Sequence, residues 1–261
     1  QSRDCLQQQI DGSNVNTYIR IRAPSGRSEA KEAEMTATTS NPNSPAALPD
    51  YAPVPPSAQG PALNEVRGGG DLPRIAVILG STRPGRLGEQ VAFWVIDQAR
   101  HRTDAEFELV DLVDHPLPHL DEPLPPNMGA YQNAHTQEWA AVIGRFDGFV
   151  FVTPEYNHST SGVLKNAIDY LYAEWNNKAM GVVSYGAAGG ARAAEHLRLI
   201  AGELQMADVR TNVALSLFTD FKNFTELAPA AYQTQALETM LGQVIAWSQA
   251  LAPLRQAAQA A

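Results

Sequence analysis

From Arg74 onward, short runs of apolar and β-branched residues alternate with stretches in which apolar positions recur every three or four residues. Runs without polar alternation suit strands buried on both faces, and the amphipathic stretches suit helices laid over those faces. Ile75-Ala76-Val77-Ile78-Leu79 predicts the first strand, and Leu87, Val91, Trp94 and Val95 fall at helical spacing behind it. Phe107 to Leu112 predicts a second strand, followed by a Pro-rich loop from Asp114 to Met128 and a helix with Trp139, Val142, Ile143 and Phe146 on one face. The unbroken apolarity of Gly148 to Val152 marks a central strand. Val163, Leu164, Ile168, Leu171 and Tyr172 predict a third helix, Met180 to Ser184 a fourth strand, and Ala193, Leu197, Ile200 and Leu204 a fourth helix. Val209 to Leu217 predicts the last strand, and Tyr232 to Leu251 a final helix with Leu237, Leu241, Val244 and Ile245 inward. This α/β pattern predicts three layers, a five-stranded parallel sheet with helices on both faces, and right-handed crossovers favour the order 2-1-3-4-5.

The first 73 residues read differently. They hold nine of the 18 prolines and long Ser, Thr, Asn, Gln and Ala tracts, a composition that buries too little apolar surface to offset its ordering entropy. We expect a disordered tail over 1–73, with a weak strand at Val15 to Arg22 the one competing element. Gly68-Gly69-Gly70 would hinge it to a domain over 74–251, and a short tail would follow at 252–261. The chain opens on Gln, as a processed, partial or mis-started product would.

Charge and cysteine usage narrow the classes. A formal net charge of −9 repels phosphate backbones and anionic membranes, so nucleic acid and membrane are not expected partners. The single cysteine, Cys5, cannot form an intramolecular disulfide, which together with the lack of a spanning segment or secretory signal suggests a cytoplasmic protein. No metal site is expected: Pro116 and Pro118 keep His115 and His119 from sharing a helix face.

In an open α/β sheet of this order, ligands bind outside the carboxyl ends of the strands where the order reverses, between strands one and three. The unusual loops fall there. Gly80-Ser81-Thr82-Arg83-Pro84-Gly85-Arg86 offers small residues, hydroxyls, two arginines and a following helix N-terminus, all suited to a phosphate. Taken alone it also reads as a Ser/Thr-capped turn with solvated arginines. It is neither a Walker A loop, since Arg86 and Leu87 follow Gly85, nor a G-x-G-x-x-G fingerprint. Thr153 to Gly162 follows strand three, where Pro154 removes a donor and Tyr156 can wall a planar ligand or merely pack. Ser184 to Arg192 follows strand four, with Gly186, Gly189 and Gly190 permitting close backbone approach or a loose turn.

These segments, with Ser161-Gly162-Val163-Leu164-Lys165-Asn166-Ala167-Ile168-Asp169 behind the second, resemble the NADPH-dependent FMN reductase family of flavodoxin-like proteins over about Arg74 to Leu251. The resemblance implies a flavodoxin-like fold, FMN as cofactor and NADPH or NADH as co-substrate. It implies Ser81, Arg83 and Arg86 on the FMN phosphate, with Thr82 and Leu87 beside it. Pro154, Glu155, Tyr156 and Asn157 would hold the ring, largely through backbone groups, and Ser184, Tyr185, Gly186 and Gly189 would border its far edge. Many members carry a Ser or Asn early in the first helix; Leu87, Gly88 and Glu89 stand here instead, which shifts weight to Arg86. The implied activity is hydride transfer from NAD(P)H to FMN and then two electrons to a small-molecule acceptor such as free flavin, a quinone, an azo compound or a metal oxyanion, in a ping-pong scheme. No catalytic side-chain base is expected, because the cofactor carries the chemistry. Arg83 or Arg192 is a candidate partner for the NADPH 2′-phosphate. The rivals are a flavodoxin-type electron carrier, against which the paired arginines argue, and a flavin-free scaffold. Ile168, Tyr172 and Trp175 exceed what one core needs, so a homodimer or homotetramer paired along the third helix is expected.

Overall fold

The computed structural model describes residues 72–260. The expected tail lies outside them except for its last two residues, as do Cys5 and the weak strand at Val15 to Arg22. Strand β1 (Arg74–Leu79) lies between β2 (Glu106–Asp111) and β3 (Gly148–Pro154), and β3 in turn pairs with β4 (Ala179–Gly186), all in parallel. Helices α1 (Gly88–Ala99), α2 (Ala134–Gly144), α3 (Gly162–Asp169) and α4 (Ala191–Glu203) make the crossovers. The order β2-β1-β3-β4-β5 is the one expected from the sequence.

Because β1 is covered on both sides, its residues alternate between two cores. Ile75, Val77 and Leu79 pack towards α1 and α5 (Ala231–Ala250), whereas Ala76 and Ile78 pack with residues of α2, α3 and α4. Four details depart from expectation. The last strand is not continuous over Val209 to Leu217; it is two short pieces, β5 (Ala207–Asp208) and β6 (Val213–Ser216), both against β4. Past the Val209 N–H, which still donates to the Met180 carbonyl, side chains replace the ladder: Arg198 donates to the carbonyls of Val209 and Arg210, and Thr211 N–H donates to Gln243 Oε1. A small antiparallel hairpin, β7 (Phe221–Lys222) with β8 (Glu226–Leu227), then precedes α5; strands this short leave no periodicity to read.

The C-terminal residues form a helix, α6 (Ala252–Ala260), fastened by Arg255, which donates to Asp147 Oδ1 at 2.8 Å and to the Ser248 carbonyl at 2.9 Å. The residues expected to exceed one core do not. Ile168 and Trp175 are buried within the chain's own second core, Tyr172 packs against it, and the Trp175 ring lies 4.9 Å from that of Phe149. Among the described residues no helix is long and apolar enough to cross a membrane, and no cluster of His, Cys, Asp and Glu is arranged to hold a metal ion.

Candidate cofactor site

At the end of β1 the chain turns sharply through Gly80, whose N–H donates to the Val152 carbonyl at 2.8 Å. A Cβ there would meet Leu164 Cδ2 at 2.8 Å and Val152 O at 2.9 Å, so the loop can leave between β1 and β3 only as glycine. The loop then enters α1 with no side-chain cap on the helix. The N–H groups of Ser81, Thr82, Gly88, Glu89 and Gln90 have no acceptor among the described residues. Unsatisfied amides at a helix N-terminus carry partial positive charge and point at whatever lies beyond. Thr82 and Arg83 are exposed at this rim, and the Arg83 guanidinium has no partner among the described residues.

Arg86 is placed differently from expectation. Its Nη groups donate to both Asp111 oxygens, at 2.8 and 2.5 Å, and to Ser81 O, and Nε and Nη2 both reach Glu89 Oε1. All five N–H donors of the guanidinium are therefore used inside the protein. The hydrogen bond to Asp111 raises the Arg86 pKa against the opposing effect of burial, so the charge is permanent. The register that pairs Leu79 with Asp111 sets this carboxylate at the end of β2, opposite the loop. Arg86 is thus a strut that shapes the loop from behind, with no donor left for a phosphate.

After β3, Tyr156 and Ser159 exchange backbone hydrogen bonds at 2.9 and 3.2 Å around a two-residue turn. Asn157 (φ 48°) and His158 (φ 74°) both sit in the left-handed region, the backbone a type I′ turn demands. The Tyr156 hydroxyl bonds Ser81 Oγ at 3.0 Å, joining this loop to the first. Ser161 caps α3 through Leu164 N–H and reaches back to Gly80 O. Glu155 bonds outward from the expected ring site: Oε1 accepts from Arg192 Nη1 at 2.6 Å and Oε2 from the Arg192 amide at 3.0 Å, so it caps α4. Burial alone would raise its carboxyl, but the bonds from Arg192 outweigh that and hold it below the usual range. Arg192 is accordingly paired rather than merely solvated.

In the loop after β4 the glycines serve the turn itself. Gly190 has φ +71°, and a Cβ there would lie 2.7 Å from Ser184 Cβ. Ser184 Oγ donates to Gly189 O at 2.8 Å, while Gly189 and Leu217 N–H both donate to Gly186 O. Tyr185, expected with Ser184 and Gly186 at the far edge of the ring, instead turns its ring into the core on the α1 side, with its hydroxyl against the first turn of α1. The Arg86–Asp111 and Glu155–Arg192 pairs were not anticipated, and no local sequence pattern announces either. A cleft of about 460 Å³ lies behind the second loop, between it and α4, where His196 Nδ1 bonds Ser159 Oγ at 2.8 Å beside Lys165, Leu199 and Ile200. It is not lined by the first loop.

A parallel sheet whose switch point carries an uncapped helix N-terminus, flanked by two further strand-end loops, defines an open α/β protein with unpaired amides gathered at the end of the sheet where such folds take their ligands. Residues 73–220 match the NADPH-dependent FMN reductase family, and the chain belongs to that family. It is an oxidoreductase of the kind that works with FMN and NAD(P)H. It is 46% identical over 150 residues to an NAD(P)H-dependent FMN reductase of Schizosaccharomyces pombe, covering 57% of this chain and 75% of the yeast protein. To an NAD(P)H-dependent FMN reductase of a Nectria species it is 37% identical over 159 residues, covering 57% of this chain and 79% of the other. In fold it is similar to FerB, a flavoenzyme NAD(P)H:(acceptor) oxidoreductase from Paracoccus denitrificans, with a TM-score of 0.54, 21% identity and coverage of 68% of this chain and 98% of that one.

Proposed function

We propose that residues 74–251 bind FMN with its phosphate on the first loop and reduce a small-molecule acceptor at the expense of NAD(P)H. One observation carries the reading: the open amides of Ser81, Thr82 and Gly88 to Gln90, beside an unpaired Arg83, converge at the switch point of the sheet. Donors of one sign gathered in one place fit a dianion, and the glycine at Gly80 keeps the loop close to β3 as such a site requires. Ser81, Thr82 and Arg83 would hold the phosphate, with Leu87 beside it and Arg86 fixing the loop. The backbone from Pro154 to Asn157 would carry the ring, and Gly186 and Gly189 would border it.

Bound FMN supplies the hydride and electron chemistry. The chain's own groups bind, orient and exclude water; Tyr156 ties the ring loop to the phosphate loop, and Glu155 ties it to α4. No side chain is asked to act as a base. Nicotinamide and acceptor would use the same open face in turn, a ping-pong scheme, with a quinone, free flavin, azo compound or metal oxyanion as the acceptor. We further propose a cytoplasmic homodimer or homotetramer. Since Ile168 and Trp175 are consumed by the core, pairing would use the α4 face, where Leu199 is 76% exposed.

The test is to load the purified protein with FMN and follow its visible spectrum anaerobically. Bleaching by NADPH or NADH, recovery on adding a quinone, and parallel double-reciprocal plots are expected. Failure to retain flavin, or flavin that neither nicotinamide reduces, would contradict the proposal.

A further inference from the structure

The segment that carries the β7–β8 hairpin links the third loop to the first. Leu217 N–H donates to the Gly186 carbonyl at 3.0 Å and Ser216 Oγ to the Ala187 carbonyl at 3.4 Å. At its other end the Gln90 side chain, in the first turn of α1, donates to the Thr225 carbonyl at 2.7 Å and accepts from Leu227 N–H at 2.9 Å. Asp220 fixes the base: this fully buried carboxylate accepts from the amides of Ser216 and Ala230 and from Thr219 Oγ1. The hairpin is thereby held on the same rim as the proposed FMN site.

On this base two phenylalanines stand open to solvent. Phe218 is 68% exposed and Phe224 55%, with ring centroids 5.6 Å apart and planes at 87°. Asn223 (φ 50°) and Phe224 (φ 60°) are the central residues of a turn that Thr225 N–H closes on the Lys222 carbonyl. Asn tolerates a left-handed backbone, but a bulky aromatic residue there is strained. A ring more than half exposed gains too little from burial to offset that strain, so folding does not account for it. Two rings set edge to face form a corner into which a third flat ring fits, stacked on one and edge-on to the other.

We propose that Phe218 and Phe224 stack the adenine of NAD(P)H. Of the molecules the family's reaction uses, NAD(P)H is the one whose second aromatic base must lie away from the flavin: its nicotinamide reaches the reacting ring, and its adenine is carried off on the pyrophosphate bridge. A quinone reacts through the ring it presents and needs no second platform. The family match ends at residue 220, before the hairpin. The adenine seat rests on the FMN reading above and adds to it a subsite for the half of the donor that does not react.

The experiment compares the full wild-type chain with the double variant Phe218→Ser, Phe224→Asn, in which Asn suits the left-handed turn. FMN-loaded proteins are bleached anaerobically by NADPH and by reduced nicotinamide mononucleotide, which lacks the adenylate half. ADP-ribose, which lacks the nicotinamide, is titrated by calorimetry into flavin-free protein. The half-saturating NADPH concentration should rise about tenfold in the variant, and ADP-ribose binding should be lost. The response to the mononucleotide and the affinity for FMN should stay within about twofold of wild type, since stacking on the adenine touches neither. Phe218→Ser alone, which leaves the turn intact, should raise the NADPH requirement about threefold. Unchanged NADPH saturation, an equal rise for the mononucleotide, or ADP-ribose bound equally by both proteins or by neither would each overturn the assignment. A raised quinone requirement with NADPH saturation unchanged would overturn it in favour of the acceptor. Wild-type protein that held no flavin yet bound ADP-ribose through these rings would overturn the FMN reading and leave the adenine seat standing.

Discussion

Two glycine-rich loops lie on the same rim of the sheet and use their glycines in different ways. From Gly80 to Gly88 the amides of Ser81, Thr82 and Gly88 have no acceptor among the described residues, and the loop's shape is held by side chains behind it: Arg86 on Asp111, Ser161 on Gly80 O. Gly186 to Gly190 closes on its own carbonyls, through Gly189 N–H to Gly186 O, Ser184 Oγ to Gly189 O and Leu217 N–H to Gly186 O, and the helix behind it is capped by Glu155 on the Arg192 amide. Glycine content alone therefore does not mark a ligand loop. What distinguishes the first loop is that its open amides run on into a helix N-terminus that no side chain caps, whereas Glu155 caps α4.

If that contrast is right, substitutions in the two loops should separate stability from cofactor affinity. The largest effect is expected at Gly190→Ala, which combines a left-handed backbone with a Cβ 2.7 Å from Ser184 Cβ. It should cost about 3 kcal/mol of stability, lowering the melting temperature by roughly 6–12 °C. A variant as stable as wild type would mean that this loop is not self-packed. Arg86→Met comes next. It leaves Asp111, whose side chain is 19% exposed, without its partner, and urea denaturation should show a loss of about 2 kcal/mol.

Arg83→Ala sharpens the comparison, because the side chain is exposed and unpaired. FMN affinity should fall about tenfold, or ~1.4 kcal/mol, with riboflavin affinity and melting temperature unchanged. Should Arg86→Met instead lower FMN affinity while leaving stability intact, the roles of the two arginines would be reversed. The smallest effect is at Glu155→Gln, on the order of 1 kcal/mol at neutral pH. The folded-state carboxyl is held below its ordinary value of 4.5, so its contribution is present above that pH and is lost as pH falls through the folded-state value. The gap between wild type and variant in urea melts should therefore close on acidification, and a gap that widened would refute the Arg192 cap.

The strand order and the two-sided core were legible in the sequence because a central parallel strand must be apolar throughout, as Gly148 to Val152 is. The break in the last strand was not. Val209 to Leu217 reads as apolar enough to continue, and the break depends on Arg198, which meets the Val209 carbonyl from eleven residues away on α4. The same limit governs the first loop. Its sequence shows two arginines but not which of them meets a carboxylate; that follows from the β1–β2 register, which brings Asp111 level with Leu79. Glu155, in a motif that suggested the ring, caps a helix for a similar reason: its partner Arg192 is 37 residues away. Local pattern located the site; long-range pairing decided which of its residues remain available to a ligand.

The account turns on the first loop being a phosphate site, and the direct measurement is the affinity of the flavin-free wild-type protein for FMN against riboflavin, which differ only in the phosphate. Open amides, a helix N-terminus and Arg83 predict FMN tighter by on the order of 100-fold at low salt, with the preference shrinking as salt is added. Equal affinities, or a preference that salt does not touch, would contradict it.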